Sequence, residues 1–267
     1  MSRYSQTLKS LKSKNEIAFV PFAVAGDPDP DSSFEILMSY VQGGADILEI
    51  GFPFSDPIAD GPVNQRASQR AIQSGLNHTS FFSLVKKVRS RTEIPLGLLT
   101  YANSLHYIGY ENFCRKASNA GIDSMLVVDM PPEEHGDLQK AMKRYNIGRV
   151  FIVSELTPAD RMKYICSKVD AFVYIVSRLG ATGTDTVFNS SIGATIKNLR
   201  TQTDKPLLAG FGISTPEHVH SIAQAGADGA IVGSALVKVI EDAVKKGTCP
   251  YTTIKKMVRD YKNSTLL

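Results

Sequence analysis

The first candidate for chemistry is a single acidic residue inside an apolar run. Side chains of a β-strand alternate between its two faces, so Glu49 shares a face with Ile47, while Leu48 and Ile50 share the other. If the Leu48 and Ile50 face packs on helices, Glu49 points into the interior, where apolar surroundings raise the pKa of a carboxyl group. Such a group suits a general acid or a proton shuttle. The alternative is a structural glutamate paired with a neighbouring base or with the backbone.

The segment directly after this strand, residues 52–62, carries two more acids. Its three prolines stiffen the chain. Long loops on a rigid scaffold tend to carry function. Asp60 is a candidate second carboxylate that folds back over the strand ends, and the alternative is that it has no catalytic role; Asp56 is expected only to cap a turn.

Three glycine-containing segments follow later strands, at residues 177–183, 210–214 and 232–235. Glycine lets backbone N–H groups approach an anion, and a helix beginning after Gly233 and Ser234 adds its dipole. We therefore expect a phosphate-binding cradle, to which the Ser234 hydroxyl contributes. The alternative is that these glycines are ordinary turn residues. Arg178 is either a further phosphate ligand or a solvated loop residue.

Other arrangements known from enzymes do not fit the sequence. A Schiff-base aldolase needs a lysine near the carboxyl end of a strand, but Lys205 precedes its strand. No GxGxxG fingerprint follows the first strand. The histidines are scattered over loops and helix starts, and most are expected at the surface, so no metal site is predicted: His78, His106, His135, His218 and His220. The residues therefore indicate a cofactor-free acid–base enzyme acting on a phosphorylated small molecule.

Eight apolar runs of strand length alternate with helical patterns along the chain. We predict strands at 18–24, 46–50, 95–100, 123–128, 148–153, 170–176, 206–210 and 229–233. Eight βα units close a barrel, and the length of 267 residues fits the roughly 250 of that fold. The prediction is therefore an α/β fold: a single (β/α)8 TIM-barrel domain over residues 1–267, with an extra N-terminal helix. A doubly wound open sheet is the alternative. Catalytic residues of a barrel lie at the carboxyl ends of its strands, which is where the acids and glycine segments fall.

Helix boundaries are expected from two S-x-x-E capping boxes. Ser32 with Glu35 and Ser214 with Glu217 are predicted to begin helices. The first of these helices is expected to end at the pair Gly43–Gly44.

Composition limits the class of protein further. With 43% hydrophobic and 21% charged residues the chain can bury a large core, which argues against disorder. A net charge of +4, from 30 basic and 26 acidic residues, is too balanced for a nucleic-acid partner. Three unpatterned cysteines, no signal-peptide pattern at the start and no apolar span of membrane length predict a cytoplasmic protein without a membrane partner.

The segment 48–62, LEIGFPFSDPIADGP, closely resembles the signature segment of the tryptophan synthase alpha subunit family. Further segments resemble the family in the expected order: FVPFAVAGDP (19–28), LLTYAN (98–103), SRLGATG (177–183), GFGIS (210–214) and VGSA (232–235). The resemblance implies retro-aldol cleavage of indole-3-glycerol phosphate into indole and glyceraldehyde 3-phosphate for L-tryptophan biosynthesis.

The resemblance also implies a role for individual residues. Glu49 matches the family's proton-transfer acid and base, and Asp60 matches the carboxylate that binds the indole N–H. Tyr174 matches a tyrosine that supports this site. The phosphate cradle is matched by Gly183, Gly212, Gly233 and Ser234. The apolar wall around the indole is matched by Phe22, Leu99, Leu126 and Phe211.

A partner is implied as well. Family members pair with a beta subunit, in an alpha2-beta2 complex, that carries pyridoxal phosphate and receives the indole. Pro53 and Asp56 in the segment 53–60, and Asn103, would then face that partner. Ordering of the loops at 56–60 and 180–186 would couple the two sites.

The sequence departs from the family pattern at three places: Thr184-Asp185-Thr186, Glu155, and Asn64 at a usually apolar position. None removes a catalytic group. Two rival functions remain open: a partner-binding activator with lost chemistry, and another phosphate-binding barrel such as a sugar-phosphate isomerase. Retention of both Glu49 and Asp60 argues against the first, and the Pro/Asp segment against the second.

Overall fold

The computed structural model describes residues 2–176, 185–210 and 212–267. The strands are β1 (Ala18–Val24), β2 (Leu48–Gly51), β3 (Leu96–Thr100), β4 (Ser124–Val127), β5 (Gly148–Arg149), β6 (Phe151–Ser154), β7 (Val173–Val176), β8 (Leu207–Gly210) and β9 (Gly229–Val232). The α-helices are α1 (Arg3–Lys12), α2 (Pro30–Gly43), α3 (Pro62–Gln73), α4 (His78–Arg89), α5 (Ala102–Ile108), α6 (Tyr110–Ala120), α7 (Gly136–Arg144), α8 (Ala159–Lys168), α9 (Asp185–Arg200), α10 (Pro216–Gln224), α11 (Ser234–Lys246) and α12 (Tyr251–Asn263). A short 3-10 helix, η1, spans Pro132–Glu134.

The strands form a parallel sheet that closes on itself. Their order is β5-β4-β3-β2-β1-β9-β8-β7-β6, and each strand pair is parallel. The predicted fifth strand is divided in two: β5 pairs with β4, and β6 pairs with β7. Val150 lies between them, and its N–H donates to the Met125 carbonyl at 3.2 Å. The eight-unit TIM barrel is therefore confirmed, with one strand serving both edges, and the open sheet is excluded.

Helix α1 is the predicted extra helix, and it packs against the amino ends of the strands. Tyr4 is buried, and its hydroxyl accepts a hydrogen bond of 2.8 Å from the Ser124 hydroxyl. Its ring lies 5.5 Å from that of Phe172, centre to centre. Arg3 donates to Asp123 at 3.0 Å. The end of the barrel opposite the candidate site is thereby filled by side chains.

Two apolar layers lie on either side of the strands. Ile47 belongs to the layer inside the barrel, whereas Leu48 and Ile50 belong to the layer between strands and helices. The alternation predicted for β2 is confirmed. Other members of the inner layer are Val20, Leu126, Val150, Phe172, Tyr174, Leu208 and Ile231.

Both predicted capping boxes are wrong, because another residue caps each helix. Helix α2 is capped by Asp29, whose Oδ1 accepts the Ser32 N–H at 2.9 Å, because Pro30 occupies the first helical position. Helix α10 is capped by Thr215, whose hydroxyl accepts the His218 N–H at 3.3 Å. The predicted end of α2 is confirmed, since Gly44 caps it in the left-handed conformation at φ 106°.

Within residues 2–176, 185–210 and 212–267, no helix is both long enough and apolar enough to cross a membrane.

Candidate active site

Glu49 lies at the centre of the candidate site, at the carboxyl end of β2. Its neighbours in register are Phe22 on β1 and Gly97 on β3. The side chain is 5% exposed and faces the barrel interior. The pKa of Glu49 is raised to about 8, mainly by burial and also by the negative charge of Asp60, while a hydrogen bond from Tyr174 acts in the opposite direction. The carboxyl group is therefore protonated at neutral pH and ready to donate.

Asp60 reaches the same cavity from the loop between β2 and α3. Its Oδ2 accepts a hydrogen bond of 2.9 Å from the Tyr101 hydroxyl, and its Oδ1 accepts one of 3.4 Å from the Asn64 amide. Burial raises the pKa of Asp60, while the Tyr101 and Asn64 donors lower it. Asn64, one of the departures from the family pattern, therefore contacts a candidate catalytic carboxylate.

A cavity of about 460 Å³ lies in front of the two carboxyl groups. The predicted apolar residues Phe22, Leu99 and Leu126 line it, and so does Tyr174. Sequence reasoning missed further lining residues, namely Val63, Tyr101, Val128, Ile152, Val176, Ile213 and Ile231. Two of these could have been predicted. Val128 and Val176 each lie two positions beyond a residue already predicted for the site, and residues two apart on a strand share a face. Phe211 lies outside the described residues.

The predicted phosphate cradle contributes Gly212, Gly233 and Ser234 to the same cavity. Gly212 adopts φ 78°, a left-handed conformation that favours glycine. Ser234 is the first residue of the 13-residue helix α11, so the first N–H groups and positive dipole end of that helix lie at the cavity. Gly183 and Arg178 fall in the stretch 177–184, outside the part of the chain that the structure describes.

Two glycines, which have no side chain, leave room for aromatic rings of the site. A Cβ on Gly210 would lie 2.5 Å from the Tyr174 hydroxyl oxygen, and a Cβ on Gly51 would lie 2.8 Å from Cζ of Phe22. Any larger residue at these positions would displace the ring from its place at the cavity.

The predicted partner-facing residues differ in exposure. Asp56 and Asn103 are exposed, whereas Pro53 is buried within the chain. Asp56 accepts a hydrogen bond from the Ser55 hydroxyl and does not line the cavity described above. Two large apolar side chains nearby in sequence are exposed, with Ile58 at 83% and Tyr107 at 81%.

The histidines differ in their exposure to solvent. His106 and His220 are exposed and His78 is half-buried, but His135 and His218 are buried. The expectation that most are surface residues is therefore wrong, because a polar ring at a helix start can also face the core. Among the residues with described positions, no three His, Cys, Asp or Glu side chains cluster as metal ligands would. Lys205 precedes β8, at the end of the barrel away from the cavity.

Two carboxyl groups, an apolar pocket and a helix N-terminus meet at the carboxyl end of a closed parallel barrel, which is where TIM-barrel enzymes have their active sites. Comparison with known proteins makes this specific. The family model described as tryptophan synthase alpha chain matches residues 8–265, and the chain belongs to this family.

Individual relatives are similar over most of their length. The tryptophan synthase alpha chain of Methanothermobacter thermautotrophicus is 45% identical over 223 residues, which cover 84% of this chain and 83% of the relative. That of Photobacterium profundum is 39% identical over 268 residues, covering 100% of both. The crystal structure of tryptophan synthase subunit alpha from Legionella pneumophila superposes with a TM-score of 0.91 at 32% identity, covering 99% of this chain and 98% of that one.

Proposed function

We propose that this protein cleaves indole-3-glycerol phosphate into indole and glyceraldehyde 3-phosphate, as the alpha chain of a tryptophan synthase. The observation that carries the proposal is the convergence of Glu49, Asp60 and the N-terminus of α11 on one apolar cavity. Its volume of about 460 Å³ falls within the roughly 300–1,000 Å³ typical of small-molecule sites.

Glu49 is the proton-transfer group of the proposed reaction. Its carboxyl group, neutral at pH 7 because burial raises its pKa to about 8, gives a proton to C3 of the indole ring. The resulting carboxylate takes the proton of the hydroxyl on the first glycerol carbon. The bond between C3 and that carbon then breaks, its electron pair returns to the indole, and the carbon becomes the aldehyde. One proton has moved from hydroxyl to ring, and Glu49 is again protonated.

Asp60 stabilises the intermediate in which the ring has been protonated at C3. That intermediate carries positive charge on the indole nitrogen, and an ionised carboxylate accepting the N–H lowers its energy. The hydrogen bonds from Tyr101 and Asn64 favour the ionised form of Asp60, because they are donated to the charged oxygens. The two carboxyl groups therefore have different tasks, one holding a proton and the other holding a charge.

The remaining cavity residues bind and orient the substrate. Phe22, Leu99 and Leu126 contact the indole ring, and Tyr174 orients Glu49. The substrate's phosphate binds at Gly212, Gly233 and Ser234, where backbone N–H groups and the helix dipole favour an anion.

The proposed partner is a beta subunit that carries pyridoxal phosphate and takes up the indole, while this chain uses no resident cofactor. The exposed apolar side chains Ile58 and Tyr107 support a docking surface beside Asp56 and Asn103. Contiguous apolar patches on a surface mark protein-interaction sites, and in this proposal the two side chains belong to such a patch. Pro53 would act by stiffening the loop, since it is buried.

The test is indole release by the purified full-length chain supplied with indole-3-glycerol phosphate, alone and with a beta subunit. We expect indole and glyceraldehyde 3-phosphate in equal amounts, and a higher rate with the partner. A chain that releases no indole in either condition but still raises the partner's activity would be a binding activator. A chain inactive here but active on a sugar phosphate would be a different phosphate-binding enzyme. Either outcome would overturn the proposal.

A further inference from the structure

Tyr101 contacts the Asp60 loop at three points. Its hydroxyl donates to Asp60 Oδ2 at 2.9 Å and accepts the Ala59 N–H at 3.2 Å. Its ring stacks on that of Phe54, with 5.1 Å between ring centres and 22° between planes. One side chain therefore holds both the carboxylate and the backbone of the loop that carries it.

The position of Tyr101 is itself fixed by the barrel. The residue follows β3 directly, in extended conformation at φ −110° and ψ 148°, and α5 begins at the next residue. Tyr101 is 2% exposed and lines the substrate cavity. A ring anchored to a barrel strand in this way provides a rigid reference point for a long loop.

We propose that Tyr101 is a positioning residue for the reaction, holding the Asp60 carboxylate against the substrate cavity. The inference rests on the proposed function, in which Asp60 accepts the indole N–H. Asn64 holds the other oxygen, but its hydrogen bond is longer, at 3.4 Å, so Tyr101 makes the stronger contact.

The electrostatics of the site agree with this role. Among the effects that lower the pKa of Asp60 against the opposing effect of burial, the Tyr101 hydrogen bond is the largest. The other titratable groups that interact with this pair are Glu49 on β2, Tyr174 on β7 and Asp129 after β4. The Tyr101 hydroxyl is therefore the donor that most favours the ionised form of Asp60.

The primary experiment replaces Tyr101 by phenylalanine, which removes only the hydroxyl and keeps the ring stack. In Tyr101→Phe, kcat for indole release should fall about tenfold or more, because a hydrogen bond to a charged group is lost, while KM changes less than threefold. The acidic limb of the pH profile of kcat/KM should move to higher pH, because Asp60 holds its proton more tightly. Tyr164→Phe, on the outer helix α8, is the matched control and should leave rate and profile unchanged.

A double-variant comparison separates positioning from a general effect on the fold. In the Asp60→Asn background, Tyr101→Phe should have no further effect on kcat, because its target charge is gone. If Tyr101→Phe unfolds, Phe54→Leu tests the same contact by removing the stacked ring, with a several-fold loss expected only when Asp60 is present. Independent effects of Tyr101→Phe and Asp60→Asn, or an unchanged acidic limb, would overturn the inference. A wild-type chain that releases no indole would instead refute the proposed function.

Discussion

Replacing Glu49 by glutamine should stabilise the protein against unfolding at high pH and not at low pH. The pKa of Glu49 is raised in the folded state, to about 8 from an ordinary value of 4.5. The folded state therefore binds the proton more tightly than the unfolded state does. The tighter proton binding by Glu49 in the folded state contributes stability that is fully present below pH 4.5 and is lost as the pH rises through about 8. A glutamine at this position stays neutral at every pH, so the variant does not lose this part of its unfolding free energy as the pH rises.

The size of the effect follows from the pKa difference. At 1.36 kcal/mol per unit, the pKa difference corresponds to at most roughly 5 kcal/mol of unfolding free energy at pH 9, and to roughly 3 kcal/mol at pH 7. Solvent screening reduces this figure little, because the side chain is only 5% exposed. A loss of roughly 5 kcal/mol is between about one third and the whole of the 5–15 kcal/mol that stabilises a typical folded protein.

Urea unfolding of wild type and Glu49→Gln at pH 5, 6, 7, 8 and 9 measures the difference directly. Other ionisable groups are common to both chains, so their effects cancel. The gap between the two unfolding free energies should widen with pH up to about 8 and then level off. Glu134→Gln, at an exposed position, is the control and should show a constant gap. A constant gap for Glu49→Gln as well would refute the assignment of a buried, protonated carboxyl group.

Three further predictions concern activity. Glu49→Gln and Asp60→Asn should each lower kcat at least about 100-fold with little change in KM, because acid–base groups typically contribute roughly 10²–10⁴-fold. Steady-state measurement of indole release tests this. Losses of kcat under tenfold in both variants would reject the roles proposed for these residues. Gly233→Val should instead raise KM for indole-3-glycerol phosphate, because its side chain covers the amides of the helix N-terminus, and an unchanged KM would contradict phosphate binding there. Gly210→Ala should lower kcat several-fold, because the new Cβ would lie 2.5 Å from the Tyr174 hydroxyl; wild-type kinetics in a folded variant would show that this tyrosine is dispensable.

The strands and their facing were predictable because they depend on local pattern. The alternation of Ile47, Leu48, Glu49 and Ile50 fixed which side chain enters the barrel, and the structure agrees. The division of the fifth strand around Val150 was not predictable, because no turn residue interrupts the segment 149–153 and only pairing with two different neighbours divides it. The pattern of a strand specifies its faces but not its partners.

The helix starts show how a motif can mislead. Ser32 and Glu35 fit the capping-box spacing, yet the Asp29–Pro30 pair supplies a stronger start, since aspartate caps well and proline suits the first helical position. The same reasoning explains Thr215 before Pro216. A proline in the first turn was the better guide in both helices.

In the candidate site, sequence reasoning selected Glu49 and Asp60 but missed Tyr101. A tyrosine after an apolar strand gives no sign of where its hydroxyl points. Its partner lies 41 positions away in sequence, and the contact exists only because the 52–62 loop folds back onto the barrel. Long-range contacts of this kind depend on the assembled fold.

Residues 148–154 pair with β4 through β5 and with β7 through β6, so the barrel closes within this one segment. Met125 and Val173 belong to segments separated by almost fifty positions, and both bond to this stretch or its immediate ends. Cutting the chain at Val150 would leave two arcs, one of five strands before the cut and one of four after it; among the described strands, β1 and β9 are then the pair that still joins the two arcs. Each arc carries part of the proposed active site, with both carboxyl groups on the first and the proposed anion-binding residues on the second, so neither fragment holds the whole site without reassociation.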